Sequence, residues 1–264
     1  MMNESLESIS AEVGEPCSLD RICGDWSIYQ LKKGHRFSTD DMLTAWIGVR
    51  EWKRIASGGV PTLIDLGAGI GSVGLMALWQ MPETTRTTFI EVQAVSHQLC
   101  RRTIQYNRLQ ERVSLHLADL RDPSSLPEDL HGSCDLVTGS PPYFPVGAGV
   151  VSPHPQRAGA RFELKGDVFD YCRAAAKALA PDGVFAFVHA AGDARPEQAI
   201  TDAGLTLVRH QDVLFREGRT PTIALFVAAW KGEKQTDPPL VVRNAAGEWT
   251  DEYLVIRQEM GALS

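Results

Sequence analysis

The sequence has five cysteines in 264 residues, Cys17, Cys23, Cys100, Cys134 and Cys172, and no CxxC pair among them. That scatter excludes a zinc ribbon, leaves no disulfide framework, and suits a reducing cytosol, so a cytoplasmic protein with no metal site is expected. No run of eighteen apolar residues occurs and no basic-then-apolar leader opens the chain. Neither membrane insertion nor secretion is therefore expected. Positive charge is also in short supply, with 26 Lys and Arg against 33 Asp and Glu and a formal net charge of −7. A field of that sign opposes phosphate, so a nucleic-acid partner would have to be met by local basic clusters. Apolar residues are not scarce. At 44% of the chain they suffice for the core of one large α/β domain.

Residues 1–15 are acidic and Ser-rich, and 1–20 read as a disordered tail. From about residue 40 onward, strand-like and helix-like periods alternate. Short β-branched or apolar runs at 62–66, 87–91, 113–117, 134–138 and 183–189 alternate with helical patterns at 73–80, 94–109 and 167–180. A helix at 196–203 precedes two closing strands at 205–214 and 222–230. Asp167 is placed as an N-cap, and Pro181-Asp-Gly183 as a helix stop. Alternation of this kind implies right-handed crossovers and a doubly wound, mostly parallel sheet. The last two strands are joined only by a loop, which makes an antiparallel edge hairpin. Ligands of such sheets sit beyond the carboxyl ends of the strands, so the residues just after each strand matter most.

The first of these strands ends in Asp65-Leu-Gly67-Ala-Gly69-Ile-Gly71. Glycines allow close approach of a ligand to the backbone, and the helix that follows offers free amides. Dinucleotide enzymes use the same device, but Ser72 stands where their fingerprint prefers another small residue. The leading acid better suits an amino-acid-like ligand, whose ammonium Asp65 can help hold. Glu91 ends the second strand and is positioned to accept both hydroxyls of a ribose. Asp119 follows the third strand, where it could accept an adenine amine. Three acids at three consecutive strand ends point to S-adenosylmethionine as cofactor.

The fourth strand ends in Gly139-Ser140-Pro141-Pro142-Tyr143-Phe144. Two prolines fix φ and remove two amide donors. The Ser140 hydroxyl and the Pro141 carbonyl can both accept from a planar amine, aiming its lone pair at a methyl donor. Tyr143 offers a π face to an unstacked base. Ser140, Pro141, Pro142 and Tyr143 are the candidate catalytic residues.

This tetrad resembles that of the amino-methyltransferases acting on adenine, guanine or glutamine amide nitrogens. Over residues 22 to 258 the chain looks like the bacterial family that methylates N6 of the adenosine beside the anticodon of a valine tRNA. The resemblance runs through Gly34-His-Arg-Phe-Ser-Thr-Asp40, the glycine loop, the tetrad, Pro155-Gln-Arg157 with Ala160-Arg161, and Leu240-Val-Val-Arg243. It implies a seven-stranded, Rossmann-like class I methyltransferase sheet and an RNA partner, most specifically tRNA. It also implies that Phe37 and Asp40 join Asp65, Gly67, Gly69, Gly71, Glu91 and Asp119 around the cofactor. The family usually has Asn where Ser140 stands, which puts the substrate in question more than the reaction.

Four segments are expected: the tail 1–20, a cofactor-covering segment and helix over 21–60, the methyltransferase domain over 61–232, and a packed C-terminal extension over 233–264. Phe144, Arg157, Arg161, Lys32 and Lys33 are candidate substrate contacts, the basic ones forming with Arg36 one basic face. The competing reading has Arg157 and Arg161 pinning their loop through Glu163 or Asp167. Glutamine-N5 methylation of a protein, guanine-N2 methylation of ribosomal RNA, DNA adenine methylation and an inactive cofactor-binding scaffold stay open. A nicotinamide-binding domain is weakest, because no catalytic Tyr/Lys pair stands out.

Overall fold

A computed structural model describes residues 6–56, 58–122 and 124–262. The chain begins with helix α1 (Leu6–Val13) and a hairpin of β1 (Cys17–Cys23) and β2 (Trp26–Leu31), then helix α2 (Thr39–Ile55). This corrects the disordered tail expected over 1–20, of which residues 1–5 lie outside the described ones. Several of the described acids and serines that suggested a tail are satisfied by partners elsewhere in the chain. Glu12 pairs with Arg101 at 2.9 Å and with Arg102, the Ser10 hydroxyl accepts from the Cys17 amide, and Ile9 is buried.

The rest alternates: β3 (Thr62–Leu66), α3 (Ser72–Gln80), β4 (Arg86–Glu91), α4 (Ala94–Tyr106), β5 (Val113–Leu117), β6 (Cys134–Gly139), α5 (Pro155–Arg161), α6 (Val168–Ala178), β7 (Leu179–Ala190), α7 (Arg195–Asp202), β8 (Thr206–Leu214) and β9 (Ile223–Ala229). Seven strands lie in the order β5-β4-β3-β6-β7-β9-β8, with β9 antiparallel to both its neighbours and the other pairings parallel. The C-terminal part adds β10 (Gln235–Thr236) and β11 (Leu240–Val241), both parallel to β8, so the sheet has nine strands rather than seven. It ends in helix α8 (Asp251–Glu259).

Alternation along β7 shows how the layers form. Val184, Ala186 and Val188 face the core shared with α2, α3, α4 and α8, whereas Phe185 and Phe187 face the core under α6 and α7. A strand buried on both faces reads as one continuous apolar run, as this one does. Asp167 caps α6, its carboxylate accepting from the amides of Phe169 and Asp170. The helix stops at Ala178, and β7 begins before Pro181 rather than after it.

The path leaves β3 toward β4 and β5, then crosses back to β6 on the other side of β3. The carboxyl ends of β3 and β6 are thus the switch point, where neighbouring connections diverge and leave a crevice. Every described cysteine is buried and unpaired. No helix among the described residues is long and apolar enough to cross a membrane.

Candidate functional site

A cavity of about 680 Å³ opens at that switch point, within the range of small-molecule sites. Its floor is the glycine loop. Gly67, Gly69 and Gly71 all have positive φ, at 60°, 58° and 93°. A Cβ on Gly67 would lie 1.8 Å from the Tyr171 hydroxyl, and one on Gly71 would lie 2.9 Å from Cys100 Sγ. At Gly69 the nearest atom would be 4.0 Å away. Gly67 and Gly71 thus make room for the protein's own packing, and Gly69 faces open space.

Two carboxylates shape this loop. Asp65 is buried, accepts from the Gly74 amide and the Thr138 hydroxyl, both at 2.8 Å, and is pushed up to about 7 by burial. Glu91 accepts from the Gly69 amide at 2.7 Å and the Gln93 amide at 2.6 Å. Burial still raises its pKa, against the pull of these donors. Each oxygen keeps a second lone pair for a ligand hydroxyl. Asp119 does not join them. Its carboxylate is turned outward onto Arg121 at 2.6 Å, and its neighbours Ala118 and Leu120 line the cavity instead.

The segment ahead of α2 forms a second wall. Asp40 lines the cavity; Phe37 does not, packing on the core while its amide donates to Gln30 Oε1. Asp41 also lines the cavity, a residue absent from the set expected from sequence. Its carboxylate accepts from the Ser72 hydroxyl at 3.0 Å and the Ser38 amide at 3.1 Å, tying this wall to the start of α3. Burial and the adjacent Asp40 push it up to about 8. The signal for it was present, since Ser38 followed three residues later by Asp41 is a capping-box spacing.

Ser140, Pro141, Pro142, Tyr143 and Phe144 all line the cavity from the end of β6. The Tyr143 hydroxyl donates to Asp40 Oδ2, and its ring packs on His189 with centroids 5.5 Å apart. Burial and Asp40 push the phenol well above its ordinary range.

Helix α5 closes the third side. Gln156 accepts from the His35 amide at 3.0 Å and donates to the Ser96 hydroxyl at 3.1 Å. Arg157 donates to the Gly34 carbonyl at 3.2 Å, and the Arg161 guanidinium lies 5.6 Å from the Phe144 ring centre. Neither Arg157 nor Arg161 takes Glu163 or Asp167, which are occupied by Arg195 and by the α6 cap. Arg36 and Lys165 line the cavity beside them; Lys32 and Lys33 are exposed and stand outside it. The cavity is therefore polarised. Asp41, Asp65 and Glu91 are buried at its inner surface, while exposed Arg36, Arg157, Arg161 and Lys165 stand at its margin.

A family model described as methyltransferase small domain matches residues 56–198. The chain is 23% identical over 218 residues to the tRNA1(Val) (adenine(37)-N6)-methyltransferase of Histophilus somni, across 83% of this chain and 86% of that protein. It is 25% identical over 214 residues to the protein of the same name from Shigella dysenteriae, across 78% and 82%. Among solved structures, a predicted O-methyltransferase from Agrobacterium tumefaciens shares the fold with a TM-score of 0.62 at 17% identity, covering 85% of this chain and 98% of that one.

Proposed function

The chain belongs to the methyltransferase small domain family, and from that membership we propose that it methylates N6 of an adenine beside the anticodon of a tRNA, with S-adenosylmethionine as methyl donor. The observation that carries this reading is the polarised cavity, in which buried acids and the Ser140–Tyr143 turn face one space bordered by exposed arginines and lysine. Buried carboxylates favour a ligand bearing positive charge, and basic side chains at the margin favour phosphate. The relatives' names supply the tRNA and the N6 position.

The residues present fit S-adenosylmethionine. Gly69 leaves open space, and Glu91 and Asp65 keep acceptor capacity toward hydroxyls and an ammonium. Asp40 adds a carboxylate on the facing wall, and Asp41, raised to about 8 by burial, is a carboxyl that a cation placed there would help to ionise. When bound, the cofactor supplies a methyl group activated by a positively charged sulfur. The chain's own work is to present the nucleophile. Ser140 Oγ and the Pro141 carbonyl accept the two amine hydrogens, drawing the nitrogen lone pair out of conjugation with the ring. Tyr143 supports the base by its ring while Asp40 holds its hydroxyl. No strong base is needed, because the amine loses its proton after the new carbon–nitrogen bond has formed. The transfer then depends on orientation and on hydrogen bonds fixed in advance.

Incubation with methyl-labelled S-adenosylmethionine and bulk tRNA, followed by digestion and mass spectrometry of nucleosides, tests the proposal. Labelled N6-methyladenosine is expected. Label in N2-methylguanosine instead would overturn the substrate while leaving the reaction class standing.

A further inference from the structure

The prolines of the catalytic turn create a mechanical problem. Pro141 and Pro142 carry no amide hydrogen, so this stretch has two fewer backbone donors with which to anchor itself. A carbonyl held from outside can make up part of that loss. The structure places one cation to do so. Arg195, the first residue of α7, donates through Nη2 to the Tyr143 carbonyl at 3.3 Å. The same guanidinium is fixed on two other sides, by Asp193 at 2.6 Å and by Glu163 at 2.5 Å. Glu163 in turn donates its amide to the Phe144 carbonyl at 3.0 Å, and the Phe144 amide donates to the Arg161 carbonyl at 3.1 Å. Arg195 therefore bridges the outgoing and returning limbs of the loop at its neck. Behind it, the fully buried His189 ring packs on Tyr143, with Nδ1 3.5 Å from the Asp193 carboxylate.

We propose that Arg195 is a positioning residue for methyl transfer, acting through the Tyr143 carbonyl to hold the Ser140–Tyr143 turn in its working geometry. This rests on the function proposed above. A planar fork can satisfy Asp193, Glu163 and a carbonyl together, and an ammonium cannot reproduce that arrangement. Arg195→Lys keeps the charge that the two carboxylates need, so it is the variant expected to fold. Its melting temperature should stay near that of the unaltered protein and its S-adenosylmethionine affinity within about twofold. Turnover should fall about tenfold to a hundredfold, the scale of a small misplacement of reacting groups. Hydrogen exchange at the Phe144 amide, followed without substrate, should quicken while β6 and β7 stay protected. Full turnover by the Lys variant overturns the proposal. If the unaltered protein methylates no tRNA, the substrate reading falls, and unchanged exchange at Phe144 would then overturn the clamp by itself.

Discussion

The Tyr143 hydroxyl donates to Asp40 Oδ2 across 2.9 Å, joining the Ser140–Tyr143 turn to the first turn of α2. Tyr143→Phe keeps the ring but takes away this donor. It should lower kcat/KM several-fold, and Tyr143→Ala should cost about 1–3 kcal/mol more, the worth of stacking on a base. Asp40→Asn combined with Tyr143→Phe should be little worse than the more damaging single change, because both remove one interaction. Additive losses would show that the two residues act separately.

Glu91 braces the glycine loop by accepting from the Gly69 amide, so its removal should act on the cofactor first. Glu91→Ala is expected to weaken S-adenosylmethionine binding by about 1–3 kcal/mol, the cost of leaving buried donors unpaired. Calorimetry on the purified protein measures this. Binding of NAD in place of S-adenosylmethionine would refute the assigned pocket.

Ser140 lines the same cavity but is proposed to touch the amine and not the cofactor. Ser140→Ala should therefore reduce kcat about tenfold to a thousandfold with cofactor affinity unchanged. Ser140→Asn should remain active, since it restores an acceptor at the same place. Single-turnover kinetics beside binding measurements separate the two effects, and an Ala variant with full turnover would remove Ser140 from the mechanism.

The buried acids make a signed prediction about pH. Asp65 and Asp41 are raised from 3.8 to about 7 and about 8. The stability they contribute is complete below about pH 4 and is lost as pH rises through 7 to 8, because the folded state then holds charges that burial disfavours. His189 runs the other way. Burial lowers it to about 4, so acidification from 6.5 toward 4 costs stability. Thermal unfolding between pH 6.5 and 8.5 therefore isolates the acids and should show a falling melting temperature, a slope that Asp41→Asn reduces. A cationic ligand favours the ionised carboxylates, so S-adenosylmethionine should bind more tightly across the same range and release protons. Calorimetry in buffers of different ionisation enthalpy reads that release; proton uptake would contradict it.

The basic margin divides its members. Arg157 is tied to the Gly34 carbonyl, so Arg157→Ala should lower the melting temperature as well as RNA affinity. Arg161 is exposed, lines the cavity and lies 5.6 Å from the Phe144 ring centre. Arg161→Glu should weaken tRNA binding at low salt and reduce the salt slope by about 0.7–0.9 for each phosphate no longer neutralised. Reversing Lys32 and Lys33, which stand outside the cavity, should do less. Titration at several salt concentrations tests the ranking, and equal effects would extend the RNA-binding face to the hairpin.

Much of the frame was legible because it rests on local pattern. The strand at 62–66 coincides with β3 since its apolar run is bounded by Pro61 and Gly67, and Asp167 caps α6 through bonds to residues two and three positions on. The glycine loop and the double proline are likewise backbone signals. Long-range satisfaction was not legible. The hairpin β1–β2 is fastened by α4, where the Thr103 hydroxyl accepts from the Tyr29 amide and Asn107 Oδ1 from the Ser27 amide, some 74 and 80 residues away. Two-residue strands such as β10 and β11 carry no period to detect. Asp119 looked like its two counterparts at strand ends, but Arg121 two residues later captures it. Gln156 stood out only as part of a family-like segment; in the folded chain both ends of its amide serve the protein's own wall.

That wall has a consequence for the order in which the protein is made. Residues 34–41 leave the ribosome before four of the partners that fasten them around the cavity: Ser72 for Asp41, Tyr143 for Asp40, Gln156 for His35 and Arg157 for Gly34. The strands β3, β4 and β5 can pair once residue 117 has emerged, yet the crevice beside them stays without its third side until α5 follows. A nascent chain thus carries its buried-acid cluster for some forty residues of synthesis with the enclosure unfinished. A wall that is synthesised first is thus fastened on this side only when 156 and 157 arrive.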